Sequence, residues 1–185
     1  MTDQILRVGR LLRANGERWV SLVRDLDRGL LTRTPAPHEW SALECLRHAE
    51  VMDGVFAGRL EVILVSGGPF PEVDTSVHEG GINETPDLSV LAASHATQRA
   101  ASLDLIGRVA PADLERTGSH PTLGTVSARV LLNEWVAHDT MHLVQAERAL
   151  LQAFIPNTGP WRKFFGEYDA VQAHGPQPRG QEVNA

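Results

Sequence analysis

Apolar side chains at Ile5, Val8, Leu12, Trp19, Leu22, Leu26 and Leu30 recur mostly at three- and four-residue steps, with Arg and Asp between them. That spacing gathers them on one stripe of a helix and predicts an amphipathic helix from Gln4 to Leu31. Pro35 and Pro37 interrupt the pattern, and Ser41 followed by Glu44 makes a capping box that opens a second helix. Its stripe runs through Leu46, Ala49, Phe56, Leu60 and Ile63 to about Val65, where Ser66, Gly67, Gly68 and Pro69 stop it. The following residues, through Glu84, show no sustained period and read as a long loop. Thr85, with Pro86 next and Asp87 in the first turn, is an N-cap signal for a third helix carrying Leu88, Leu91, Ala92, Leu103, Ile106 and Val109. Pro111 ends that helix. A second loop, Pro111 to Gly124, leads to Thr125 as N-cap of a fourth helix. Its stripe includes Leu131, Trp135, Val144, Ala149 and Leu151, and it closes near Phe154 ahead of Pro156.

Four long helices with no alternating β pattern and no internal repeat predict an all-α fold, a single four-helix bundle over residues 1–168, with 169–185 as a flexible C-terminal tail. The short Pro-rich link makes helices one and two antiparallel. A helix of about 25 residues is about 38 Å long, whereas a loop of about twenty residues extends to about 65 Å. The loop after helix two can therefore cross over the length of the bundle and make helices two and three parallel, and its size also marks it as a candidate lid.

Composition narrows the function classes. The chain of 185 residues is 42% hydrophobic and 22% charged with a net charge of −6, which excludes a mostly disordered chain. Its basic side chains, all arginine except Lys163, are scattered along the sequence, so a nucleic-acid footprint is not expected. No apolar run reaches 18 residues and the first residues lack a leader pattern, so a cytoplasmic protein without membrane attachment is expected. Cys45 is the lone cysteine, which leaves His and carboxylates to hold any metal.

The strongest chemical signal is His138-Asp139-Thr140-Met141-His142, because helical residues four apart can present two imidazoles to one ion. Their face continues through Leu131, Trp135 and Gln145 and is the core-facing one, where unpartnered imidazoles are costly. A metal ion would partner them; a pair of hydrogen-bonded core histidines is the plainer alternative. His48, on the helix-two face with Cys45, Met52 and Val55, adds a third imidazole and shifts the balance toward a facial triad with open positions. Asp139 stands where a zincin HExxH motif has its glutamate. It is one methylene shorter and about 100° round the helix from His138, so a metalloprotease is not expected. Asp139 reads as solvated, or as an acceptor for a histidine N–H.

Glu134 and Gln145 flank the histidines at one-turn spacing and could orient them, though packing or surface positions are the simpler reading. Asp53 reads as an exposed carboxylate. His95 lies near the apolar stripe of helix three and, unlike His38, His78, His120 and His174, is placed to join the site. Cys45 reads as a buried inert thiol that lines the cavity at most. Trp161, Phe164, Phe165 and Tyr168 read as an aromatic cap on the core or a subunit interface.

The runs Trp40-Ser41-Ala42-Leu43-Glu44-Cys45-Leu46-Arg47-His48, His120-Pro121-Thr122-Leu123-Gly124 and His138-Asp139-Thr140-Met141-His142-Leu143-Val144-Gln145 together resemble the DinB-like (damage-inducible, YfiT-type) superfamily of metalloenzymes. The resemblance spans the four helices and the Gly159-Pro160-Trp161-Arg162 stretch. It implies an up-down-down-up bundle with a long crossover between helices two and three, a divalent ion held by His48, His138 and His142, and a homodimer. Members it resembles include transferases and isomerases that use low-molecular-weight thiols. The expectation is therefore a metal-dependent enzyme with Zn²⁺ or Ni²⁺, a small-molecule substrate and a thiol cosubstrate. A metal-dependent hydrolase is the alternative within the enzyme class, and a non-catalytic stress-response metal-binding protein the alternative outside it. A closed coordination sphere completed by His95 or Glu134 would mark the last. No catalytic residue beyond the three ligands is assigned.

Overall fold

The computed structural model describes residues 3–73 and 87–170. Its helices are α1 (Asp3–Asp25), the single turn α2 (Arg28–Leu31), α3 (Ala42–Val65), α4 (Leu88–Gly107) and α5 (Ala128–Leu151). A hairpin of β1 (Thr117–His120) and β2 (Gly124–Ser127) precedes α5, and short 3₁₀ turns occupy Pro111–Glu115, Ile155–Asn157 and Gly159–Phe165.

The four long helices are those the periodicity predicts, and local chemistry sets their ends. Ser41 accepts from Glu44 N while the Glu44 carboxylate reaches back to Ser41 N at 2.7 Å, completing the capping box. Elsewhere the caps correct the sequence reading. The first helix stops at Asp25 because Asp27 leaves the helical path and caps α2 through Leu30 N, so the stripe to Leu31 belongs to two helices. Asp87 caps α4, its carboxylate accepting from Ser89 N and Val90 N; Thr85 lies outside the described residues. Ser127, not Thr125, caps α5, because Thr125 is held in β2 opposite Ser119. The expected loop from Pro111 to Gly124 thus contains a hairpin whose four-residue strands are too short to show an alternation. Val144, placed in the core stripe, is exposed, since Leu143 and Ala146 face inward in its place.

Side-chain contacts give the helix directions. Along α3 and α4, Glu50 meets Ser94 and Gln98 while Asp53 meets Ser102, an ascending series that makes them parallel. Gln4 with Asn133, Asn15 with Asp139 and Arg18 with Glu147 make α1 and α5 parallel. His48 against His142 and Phe56 against Trp135 make α3 and α5 antiparallel. The bundle is therefore up-down-down-up. In it α1 packs on α4 and α5, and α3 on α5 and α4.

Its core is divided. One apolar cluster gathers Ile5, Val8, Leu12, Phe56, Leu60, Ile63, Ile106, Leu132 and Trp135; the other gathers Trp19, Leu22, Leu43, Leu46, Leu91, Leu143, Ala146 and Leu150. Where the two clusters meet, every long helix carries buried polar residues: Asn15, His48 and Asp53, His95 with Arg99 and Ser102, and Asp139 with His142. Candidate chemistry is thus concentrated in one layer across the middle of the bundle.

Phe70, after α3, seals one end of the core. Its backbone N–H donates to Ser119 O, and its ring lies across Gly118 so closely that a Cβ there would overlap it. Gly118→Ala is expected to cost about 1–3 kcal/mol. At about 2–4 °C per kcal/mol for a chain of this size, that lowers Tm by several degrees in a thermal melt, whereas an unchanged Tm would show the ring free to move aside.

The C-terminal aromatic residues do not cap the core. Trp161, Phe164 and Tyr168 are more than half exposed on and just after a 3₁₀ turn, and Ile155 is buried instead. Asp169 and Ala170, expected at the start of the tail, are buried, Asp169 pairing with Arg162 at 2.8 Å and Ala170 N donating to Gln152. Residues 171–185, and 74–84 of the expected lid, lie outside the described residues.

Candidate metal centre

Helix α3 carries His48 and α5 carries His138 and His142, and their antiparallel packing brings the three rings together. Ring centroids lie 5.2 Å apart for His48 and His138, 4.5 Å for His48 and His142, and 4.5 Å for His138 and His142. One ligand nitrogen from each falls within 4.8 Å of the others. The Nε2 atoms of His48 and His138 are 3.4 Å apart. Two imidazoles bound tetrahedrally to one ion at about 2.0–2.1 Å would have their nitrogens about 3.3 Å apart, so this pair fits an ion without rearrangement.

His142 is oriented from its other side. Its Nδ1–H donates to Gln145 Oε1 at 2.9 Å, which leaves the Nε2 lone pair available to an ion. Gln145 therefore orients the His142 ring, as its spacing allowed. Burial, together with the neighbouring His138, pushes His142 down to about 4, so the ring is neutral near pH 7. Trp40 stacks on His142 with centroids 5.6 Å apart and lies 4.9 Å from His48, while Phe56 meets His138 edge-on at 5.4 Å. Low-dielectric walls thus enclose the histidines, and His138 is the one that reaches partly to solvent.

The other candidates are placed differently. Glu134 is exposed one turn from His138, and Cys45 is fully buried, with burial and the Glu44 charge pushing its thiol up to about 12 and removing it from nucleophilic chemistry. His95 is buried but stays out of the three-histidine group, and neither of its ring nitrogens has a partner among the described residues.

Asp53 and Asp139 correct the sequence reading, because both are buried and bind the same arginine. Arg99 Nη2 lies 2.6 Å from Asp139 Oδ1, and Arg99 Nε lies 3.1 Å from Asp53 Oδ1 as an ion pair without an aligned hydrogen bond. Asn15 and Arg99 Nη1 also donate to Asp139 Oδ2, Arg99 Nη1 donates to Leu12 O, and Ser102 and Trp135 Nε1 donate to Asp53. Burial pushes the Asp53 carboxyl up, against the pull of Arg99, Ser102 and Trp135. Arg99 passes over Gly16, where a Cβ would lie 2.9 Å from its Cγ. Asp139 is thereby turned from the histidines into the opposite side of the bundle, and the cluster itself contains no carboxylate among the described residues.

Known proteins bear on this arrangement. A family model described as the DinB superfamily matches residues 11–146. Among solved structures, YfiT from Bacillus subtilis, described as a probable metal-dependent hydrolase with an unusual four-helix bundle topology, matches with a TM-score of 0.72 at 15% identity, over 83% of this chain and 89% of that one. No curated protein matches. No helix among the described residues is long and apolar enough to cross a membrane.

Proposed function

The chain belongs to the DinB superfamily, and on that footing we propose that it is a metal-dependent enzyme whose His48, His138 and His142 hold one divalent ion, Zn²⁺ or Ni²⁺, and act on a small-molecule substrate. The observation that carries this reading is the convergence of three imidazole nitrogens within 4.8 Å, at a spacing that suits one ion. His48, His138 and His142 would hold such an ion, which would supply Lewis-acid chemistry and lower the pKa of a nucleophile. Gln145 fixes the His142 tautomer, Trp40 and Phe56 keep water from the ring faces, and the partly exposed His138 side gives a substrate its approach.

Hydrolysis is the first reading, supported by the description of YfiT. Transfer of a low-molecular-weight thiol is the second, supported by the likeness of the Trp40–His48 and His138–Gln145 runs to thiol-using members of the family, and a homodimer belongs to the same reading.

Metal content measured by plasma mass spectrometry on protein purified without an affinity tag tests the proposal. The wild type is expected to carry one ion per chain, and His48→Ala and His138→Ala to carry almost none while keeping their helical circular dichroism. A wild type that takes up neither added Zn²⁺ nor Ni²⁺ would overturn it.

A further inference from the structure

The His120-Pro121-Thr122-Leu123-Gly124 run takes no part in the three-histidine cluster, yet the structure gives its histidine a defined chemical role. The backbone N–H groups of Thr122 and Leu123 both point at His120 Nδ1, at 3.2 and 3.3 Å. Backbone N–H groups only donate, so Nδ1 is the acceptor and Nε2 carries the hydrogen. That Nε2–H has no acceptor among the described residues. His120 packs perpendicular to Phe70, with centroids 6.2 Å apart.

On the same Phe70 ring rests the guanidinium of Arg59, 5.6 Å from the ring centroid. Arg59 is partly buried, its Nε is fully so, and that atom has no hydrogen-bond partner among the described residues. No carboxylate among them comes within ion-pair distance, although the Glu134 charge is felt through space. Partly desolvating an arginine without an acceptor is costly, and across one ring from it stands a second donor, the Nε2–H of the half-buried His120, that no described residue accepts. Two such donors, one of them permanently cationic, match an oxyanion.

Their position relates them to the histidines. Arg59 follows His48 by eleven residues, about 16 Å along α3 and within about 20° of the same face, with Met52 and Val55 between. On α3 it lies one turn beyond Phe56, whose ring meets His138. We propose that Arg59 and His120 form an oxyanion-binding subsite that receives the carboxylate or phosphate of an extended substrate whose reacting group is held at the three histidines. The second half of that statement rests on the metal-dependent reading; the anion site itself stands on the Arg59, Phe70 and His120 geometry.

The test uses the full chain freed of metal by chelation, so that an ion at the histidines cannot bind the probe. Inorganic phosphate and acetate are titrated separately while the His120 imidazole and the arginine side-chain resonances are followed by nuclear magnetic resonance. Saturable shifts at both groups are expected in the wild type. Arg59→Met, which keeps a stem over Phe70, should weaken binding about tenfold or more, and Arg59→Lys should recover part of it. Both variants should keep the wild-type Tm and bind Zn²⁺ as the wild type does. Tighter binding of phosphate than acetate assigns a phosphate ligand, and the reverse a carboxylate. No saturable shift in the wild type, or equal binding by Arg59→Met, overturns the subsite. Anion binding in a chain that takes up no metal would leave the subsite standing and remove only the metal reading.

Discussion

Arg99→Met is expected to destabilise the protein by about 3–5 kcal/mol, the cost of removing one partner from a buried charge cluster. The wild-type guanidinium lies between two carboxylates that are almost wholly buried, Asp53 at 1% exposure and Asp139 at 3%. Methionine fills much of the stem's volume and keeps its passage over Gly16, so the loss is mainly electrostatic. It leaves two carboxylates on α3 and α5 without a cation, and the Leu12 carbonyl on α1 without its side-chain donor. All four long helices meet through this side chain, so the effect should appear in global unfolding. Urea denaturation followed by circular dichroism should show a lower midpoint at unchanged slope. Adding Asp53→Asn and Asp139→Asn to the Arg99→Met chain removes the stranded charges and should recover a large part of the loss. A single-variant cost below about 1 kcal/mol would mean that water already reaches the cluster and screens it.

The polar layer explains which parts of this protein could be read from its sequence. Helices α3 and α5 announce themselves because their apolar stripes and the Ser41–Glu44 box are local signals. His138 and His142 are legible for the same reason, being one turn apart on one helix. Arg99 and Asp139 are 40 positions apart, and Asp53 and Trp135 82. On its own helix each charged member of that set looks like an ordinary solvated residue. Arg99, the residue that joins them, carried no signal, although Gly16 opposite it offered a faint one, since a glycine inside a helix marks a close approach. The caps of α4 and α5 lie two residues beyond the expected ones, because at each start two residues able to cap, Thr85 and Asp87 or Thr125 and Ser127, stand two positions apart. Tertiary pairing of the hairpin, not propensity, selects Ser127 over Thr125.

The same layer contains a titrating group whose effect on stability has a definite sign. His95 is 1% exposed, and burial, reinforced by the Arg99 charge and opposed by Asp139, pushes it from 6.5 down to about 4. Its folded value lies below its unfolded one, so unfolding takes up a proton between those two pH values. The stability that His95 contributes is therefore complete above pH 6.5 and is lost as pH falls toward 4, a decline on the order of 3 kcal/mol from this one group. His95→Leu should remove that part of the acid limb. Because both ring nitrogens are buried without partners among the described residues, the substitution should cost little at pH 7 and could even stabilise, since an apolar group replaces two unsatisfied polar atoms. Urea midpoints measured for both chains at intervals from pH 7 to pH 4.5 decide the matter. His142 titrates in the same direction, but it is present in both chains and cancels in the difference. Curves that diverge as pH falls from 7, the wild type losing stability that His95→Leu keeps, would confirm a neutral buried His95. Curves that stay parallel would show that the ring is already solvated or charged in the folded protein, and that the polar layer admits water on its α1–α4 side.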